Sequence, residues 1–275
     1  MSPPDRESPE QKPVSGAASV GPLEISSGAP KGPITDTMIK PLAKRFYKAV
    51  AVGQAGPPGS GHQILLDGRA VKTPAKRPLQ VPTLPLAEAI AAEWSAQSDK
   101  INPATMPLTR FANTAIDAVA DTRDAVAADI AAYAGSDLLC YRAETPAELA
   151  RLQSECWDPI IAWARETLEA KFTVVNGVMP VAQPAAALAA FGSALHPHEP
   201  FRLTALHVIT TLTGSGLLAI AHARGFLAAD DVWTAAHVDE DYQISLWGCD
   251  AQAADRRAGR HAEFVAASTF LTLVH

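Results

Sequence analysis

Cysteine is scarce in this sequence and poorly placed for any joint role. The three that occur, Cys140, Cys156 and Cys249, stand far apart and form no C-x-x-C pair. Neither a disulfide framework nor a cysteine-rich zinc site is therefore expected, and a reducing compartment is the default. Basic charge is also short: 23 Lys and Arg face 29 Asp and Glu, for a net charge of -6. That balance argues against a nucleic-acid or anionic-membrane surface, since both need dense Lys and Arg. The phosphate-cradling patterns G-x-x-x-x-G-K-[ST] and G-x-G-x-x-G are missing, as are H-E-x-x-H, H-x-x-E-H and the G-x-S-x-G elbow. The histidines show no ligand spacing, so no metal and no cofactor are expected. What the chain does have is apolar mass, 48% of 275 residues, which is enough for a packed interior.

Residues 1–38 hold little of that mass. They are rich in Pro, Gly and Ser and poor in aromatics, and read as a disordered arm. The arm lacks the apolar run of a secretory signal. Its early Asp5, Glu7 and Glu10 and its few arginines do not fit a mitochondrial presequence. A bacterial cytoplasmic protein fits these features.

From residue 39 to 104 the pattern predicts a small mixed α/β domain. Arg45 to Val52 is a short strand-like run, followed by a Gly- and Pro-laden loop from Gly53 to Gly61. Two more runs meet at Asp67-Gly68, a strong hairpin signal because both turn positions need positive φ. Leu79 to Val81 is a third short strand. Arg69, Lys72, Lys76 and Arg77 make the region basic, which is the ordinary character of a solvated sheet face. A helix follows with Leu86, Ile90 and Trp94 in line, and Trp94 is expected in the core against the sheet.

Asn102-Pro103 and Met106-Pro107 break that helix, and residues 105–275 read as helical almost throughout. Thr109 is the expected cap of the next helix, which carries Arg110, Asn113 and Asp117 on one side. Such a polar side faces water, knits two domains together, or edges a small-molecule site. Thr122 to Tyr133 predicts a further helix, Ser136 to Arg142 an extended piece, and Pro146 a helix start. Asp158-Pro159 reads as a cap and first-turn proline that restart a helix. After Lys171 a loop is expected until Pro184. Leu203 to Ala223 carries one feature of a membrane span, no formal charge over about that length. Its His207, its threonines and Gly214-Ser215-Gly216 favour instead a buried helix or helix pair of a bundle.

The helix expected from a cap at Asp230 to about Gly248 is the most informative. At 100° per residue, Trp233, His237, Glu240, Ile244 and Trp247 fall in one stripe, with Val238, Tyr242, Leu246 and Cys249 opposite. A carboxylate in the middle of an apolar stripe must be paired or left partly wet. Arg256, Arg257 and Arg260 of a final helix starting at Asp250 offer the pairing; an open face that receives a partner offers the water.

Several blocks also occur in a known order. RFYKAV (from Arg45), DGRAVKTPAKRPLQVPT (from Asp67), AIAAEWSAQSDKINPATMPLTRFANTAID (from Ala89), DLLCYRAE (from Asp137), WDPIIAW (from Trp157) and EDYQISLWG (from Glu240) are involved. Together they resemble the assembly chaperone of the F-type ATP synthase that handles the alpha subunit of the catalytic head, in a bacterial, alphaproteobacterial-type form. The resemblance implies an α+β fold, a small N-terminal mixed α/β domain followed by a larger all-α orthogonal helical bundle. It implies no catalysis, a monomer when free, and one partner, the unassembled alpha subunit, held by its beta-facing surface. It also places a functional acid in the EDYQ block. The expected partner-binding set is then Glu240, Trp233, His237, Ile244, Trp247, Asp239, Arg110 and Asn113. A small-molecule enzyme using Arg110, Asn113 and Asp117 is the competing reading, and a scaffold bound through the N-terminal arm is a third.

Overall fold

At Asp67 and Gly68 the backbone turns with φ of 48° and 78°, and the hairpin forms where the sequence places it. The protein is described by a computed structural model covering residues 42–57, 59–196 and 198–275. The expected arm at 1–38 lies outside the described residues. Strand β2 (His62–Leu66) is the middle of the small sheet. It pairs antiparallel with β1 (Val50–Gln54), β3 (Arg69–Ala70) and β4 (Gln80–Val81). β1 starts later than the run from Arg45 suggests. The N–H groups of Lys48 and Ala49 donate to the Asp67 carboxylate and that of Arg45 to the Asp99 carbonyl, so a side chain and a distant loop replace the ladder there. Alternation puts Ile64 and Leu66 of β2 inward, where they join Leu79 and Val81.

Helix α1 (Leu84–Ser95) lies on this sheet, with Thr83 as its cap and Leu86, Ala87 and Ile90 fully buried. Trp94 departs from expectation. It is half-buried at the helix end, its ring edge-on to Tyr47 at 5.7 Å, and the Tyr47 hydroxyl donates to its carbonyl at 2.7 Å. The core stripe of α1 therefore ends at Ile90.

Helix α2 (Pro107–Asp117) begins two residues before the expected cap, and Met106 gives it no side-chain cap. Glu93 of α1 caps it instead. Its carboxylate accepts from the Leu108 N–H at 2.7 Å, the Thr109 N–H at 2.8 Å and the Thr109 hydroxyl at 2.6 Å. Beyond α2 come α3 (Arg123–Ala134), α4 (Ala147–Thr167), α5 (Ala185–Leu195), α6 (Pro200–Thr213), α7 (Gly216–Ala223), α8 (Ala229–Ala236), α9 (Val238–Trp247) and α10 (Ala251–Leu273). The charge-free run is a helix pair, α6 and α7, broken where Gly214 takes φ of 70° and Ser215 caps α7. α6 packs on α2, α3, α7 and α10, and Leu217 to Ala221 of α7 are buried on every side. No described helix is long and apolar enough to cross a membrane. Phe264, Phe270 and Leu271 of α10 point inward as expected. The architecture is α+β, a small sheet layer against a larger helical part.

Four local expectations give way to packing. α4 runs unbroken through Pro159, because Trp157 and Ile160 are buried on either side of it and the Trp157 N–H donates to the Ala235 carbonyl at 2.7 Å. Asp158 does not cap; it pairs with Arg142 at 2.8 Å. Leu138–Cys140 is a 3-10 turn, and only β5 (Tyr141–Arg142) is extended. The stretch read as loop contains β6 (Val175–Asn176), parallel to β5. The long helix from Asp230 starts at Ala229, with Asp230 in its first turn, and breaks at His237.

Asp137 ties the 3-10 turn to the α6–α7 junction. Wholly buried, it accepts from the Ser215 hydroxyl at 2.7 Å and from the Leu139 and Leu217 N–H groups at 3.1 Å. Burial pushes its carboxyl up to about 6, with the Ser215 and backbone donors pulling the other way. A folded pKa above the unfolded one means that this group stabilises most below about pH 4, and that the contribution is lost as pH rises through about 6. Asp137→Asn keeps a neutral group of nearly the same shape there, as the protonated carboxyl is below its folded pKa. Thermal melts from about pH 4 to about pH 8 should show the parent losing stability as pH rises through about 6 and the variant lacking that loss. A parent whose stability does not fall over that range would contradict the assignment.

Candidate functional site

The break at His237 decides how the acid-bearing stripe is presented. His237 is buried, its Nδ1 lies 2.8 Å from the Trp233 carbonyl, and its ring stacks on the Trp233 indole at 3.7 Å. Burial lowers its pKa, and the nearby Arg260 and Arg257 add to that against the Trp233 carbonyl and Glu240. It is therefore neutral at pH 7. Trp233 also meets His261 at 4.7 Å and Phe264 at 5.5 Å, both on α10. So Trp233 is turned toward α10 rather than sharing one continuous face with Trp247. A single helical phase cannot be carried through the break.

Beyond it, α9 opens with three acids in its first turn, where the positive end of the helix dipole favours them. Asp241 pairs with Arg257. Asp239 accepts from the Gln153 amide at 2.7 Å. Glu240, 38% exposed, has its Oε2 3.9 Å from the His237 Nε2, beyond a hydrogen bond. Arg256, Arg257 and Arg260 do not pair with it among the described residues; Arg260 donates to the Leu212 carbonyl at 2.8 Å. Ile244 is half-buried further along, and the helix ends with Leu246 56% and Trp247 80% exposed. A partly wet carboxylate thus stands at the start of a short helix whose far end offers an uncovered indole.

Arg110 and Asn113 are elsewhere. No hydrogen bond or ion pair among the described residues joins either to α9. Arg110 donates to Glu263 of α10 at 2.6 Å, and the Asn113 Oδ1 is buried without a partner. At the end of the same helix, Asp117 accepts from the Thr73 hydroxyl at 2.6 Å and the Ala75 N–H at 3.0 Å. This polar side of α2 knits the sheet layer and α10 together. A cleft of about 960 Å3 is lined by Arg77, Val81, Ile116, Phe201 and Arg202 among others, and not by Arg110, Asn113 or Asp117. Among the described residues no group of three His, Cys, Asp or Glu is placed to hold a metal.

Sequence reasoning missed the supports of this corner. Gln153 and His261 sit on other helices and give no local signal. Val178 and Met179, 93% and 76% exposed between Gly177 and Pro180, lie in a stretch whose sequence reads only as loop.

Residues 44–165 match the family model described as ATP12 chaperone protein. The crystal structure of Atp12 from Paracoccus denitrificans is 42% identical, with 85% of this chain and 99% of that chain covered and a TM-score of 0.80. The chain belongs to the ATP12 chaperone family. An aspartate-to-lysine mutant of the same Paracoccus protein aligns at 41% identity over 85% and 98% of the two chains, with a TM-score of 0.80. A candidate chaperone from Agrobacterium tumefaciens is 45% identical over 85% of this chain and 87% of that one, with a TM-score of 0.81. ATP12 is an ATP synthase assembly factor, so this ATP12-family chain is an ATP synthase assembly chaperone.

If α2 is a structural tie, its two ends should respond differently in thermal unfolding. Asp117→Ala strands the Thr73 hydroxyl and the Ala75 N–H and should cost about 1–3 kcal/mol. Arg110→Ala breaks a half-exposed pair and should cost about 1 kcal/mol or less. Equal stability of Asp117→Ala and the parent would remove Asp117 from the framework.

Proposed function

We propose that this chaperone binds the unassembled alpha subunit of the ATP synthase catalytic head and covers the surface that alpha later buries against beta. The chain acts without catalysis, by occupancy: it denies alpha an apolar contact with itself until beta competes for the same face. The observation that carries this reading is the end of α9, where Trp247 and Leu246 are exposed two turns from a half-exposed, arginine-free Glu240. Tryptophan with most of its surface in water is costly to leave uncovered and is enriched at the centres of protein interfaces. A carboxylate beside it fixes orientation through a charged hydrogen bond. Ile244 and Asp239 complete the face, His237 and Trp233 hold it from behind, and Arg110 and Asn113 contribute through the framework that carries α10. Residues 39–104 and 105–275 serve as support and binding part respectively, in the bacterial cytoplasm.

The test separates folding from binding on one residue. Glu240→Gln should leave thermal stability within about 0.5 kcal/mol, as a surface change does. It should weaken binding to purified alpha subunit about tenfold, the equivalent of about 1.4 kcal/mol, and Glu240→Lys should weaken it further. Normal binding together with a collapsed melting temperature would make Glu240 a structural residue and defeat the proposal.

A further inference from the structure

Val178 and Met179 are 93% and 76% exposed, and among the described large apolar residues only Trp247 and Phe46 are comparable. One exposed valine means little. These two matter for what holds them. They stand at the tip of a turn just past β6, where Gly177 takes φ of 89° and donates its N–H to the Arg142 carbonyl at 2.8 Å. Next to Arg142, the Ala143 N–H donates to the Gln153 Oε1 at 2.7 Å. The other end of that amide donates to Asp239 in the first turn of α9, again at 2.7 Å. Gln153 is 2% exposed, so one buried amide joins the end of β5, on which the turn before the tip is tied, to the first turn of α9.

We infer that the Val178–Met179 tip is a second apolar contact of the docking surface on α9, and that the two contacts receive a protein segment of apolar residues flanked by lysine or arginine. The inference rests on the proposed function and adds to it the place and chemistry of the grip. The charge requirement comes from the carboxylates beside the two contacts. Glu144 beside the tip, and Asp239 and Glu240 on α9, have no arginine or lysine partner among the described residues. Carboxylates without a cation beside each of two uncovered apolar points complement a basic-flanked apolar segment and repel an acidic one. The rest of the cluster is already neutralised, Asp158 by Arg142 and Asp241 by Arg257.

Methionine chemistry gives a direct readout. Met179 is exposed, while Met106 is 2% exposed and serves as an internal control. Peroxide converts an accessible methionine to its sulfoxide, and peptide mass spectrometry reads the rate at each site. In the full-length chaperone, Met179 should oxidise much faster than Met106. Saturating purified alpha subunit should slow Met179 several-fold. The double variant Val178→Ser with Met179→Ser should keep the parent melting temperature and bind alpha about tenfold more weakly, as loss of an interface anchor does. If alpha binds but Met179 oxidises at its free rate, or if the double variant binds normally, the second contact is wrong and the α9 reading stands. If the parent does not bind alpha, both fall. Protection of Met179 that rises with the chaperone's own concentration would assign the tip to a second copy of this chain and overturn the inference.

Discussion

A carboxylate on one helix supplies the cap that the next helix lacks, and the two layers of the molecule meet through it. Proline at the first position of α2 removes one unsatisfied donor, but the next N–H groups still need acceptors. Glu93 provides them from α1 and lies where the helix dipole favours a negative charge. Burial raises its carboxyl pKa, and the bonds from Thr109 and Leu108 counter that. The other end of α2 returns to the sheet layer through Asp117, and its flank reaches α10 through Arg110. α6 packs on α2 and carries α3, α7 and α10 with it. Thus the tie between α1 and α2 sets where the helical part sits, and α10 in turn backs Trp233 and His237 behind the acid-bearing helix.

The break at His237 is the second consequence of packing. The neutral imidazole stacks on Trp233 and uses its Nδ1 locally, so α8 can stop and α9 can leave at a new phase. Trp233 stays with the interior while Glu240, Leu246 and Trp247 go to solvent. An unbroken helix would have kept Trp233 and Trp247 on one face, and both would have been buried or both uncovered.

How much of this was legible follows from range. The Asp67-Gly68 turn, the start of the last helix at Asp250, and the α6–α7 pair are set by neighbours within a few residues, and periodicity or turn chemistry reveals them. Thr109 was misread as a cap because the true cap lies on another helix. Pro159 was misread as a restart because Trp157 and Ile160 hold α4 straight through it. β6 was invisible because two residues pairing in parallel with a distant strand leave no alternation to read. At the candidate site, Glu240 and Trp247 stood out as an acid and an aromatic on one stripe. Gln153, which joins α9 to the Ala143 N–H after β5, did not, since an amide within a helix has no pattern of its own.

Hydrogen exchange on the complex of this chaperone with purified alpha subunit tests the central claim most directly. The account predicts new protection in α9, from Val238 to Trp247, and little change along the cleft lined by Arg77, Ile116 and Arg202. Protection concentrated in that cleft, with α9 exchanging as it does in the free chain, would contradict it.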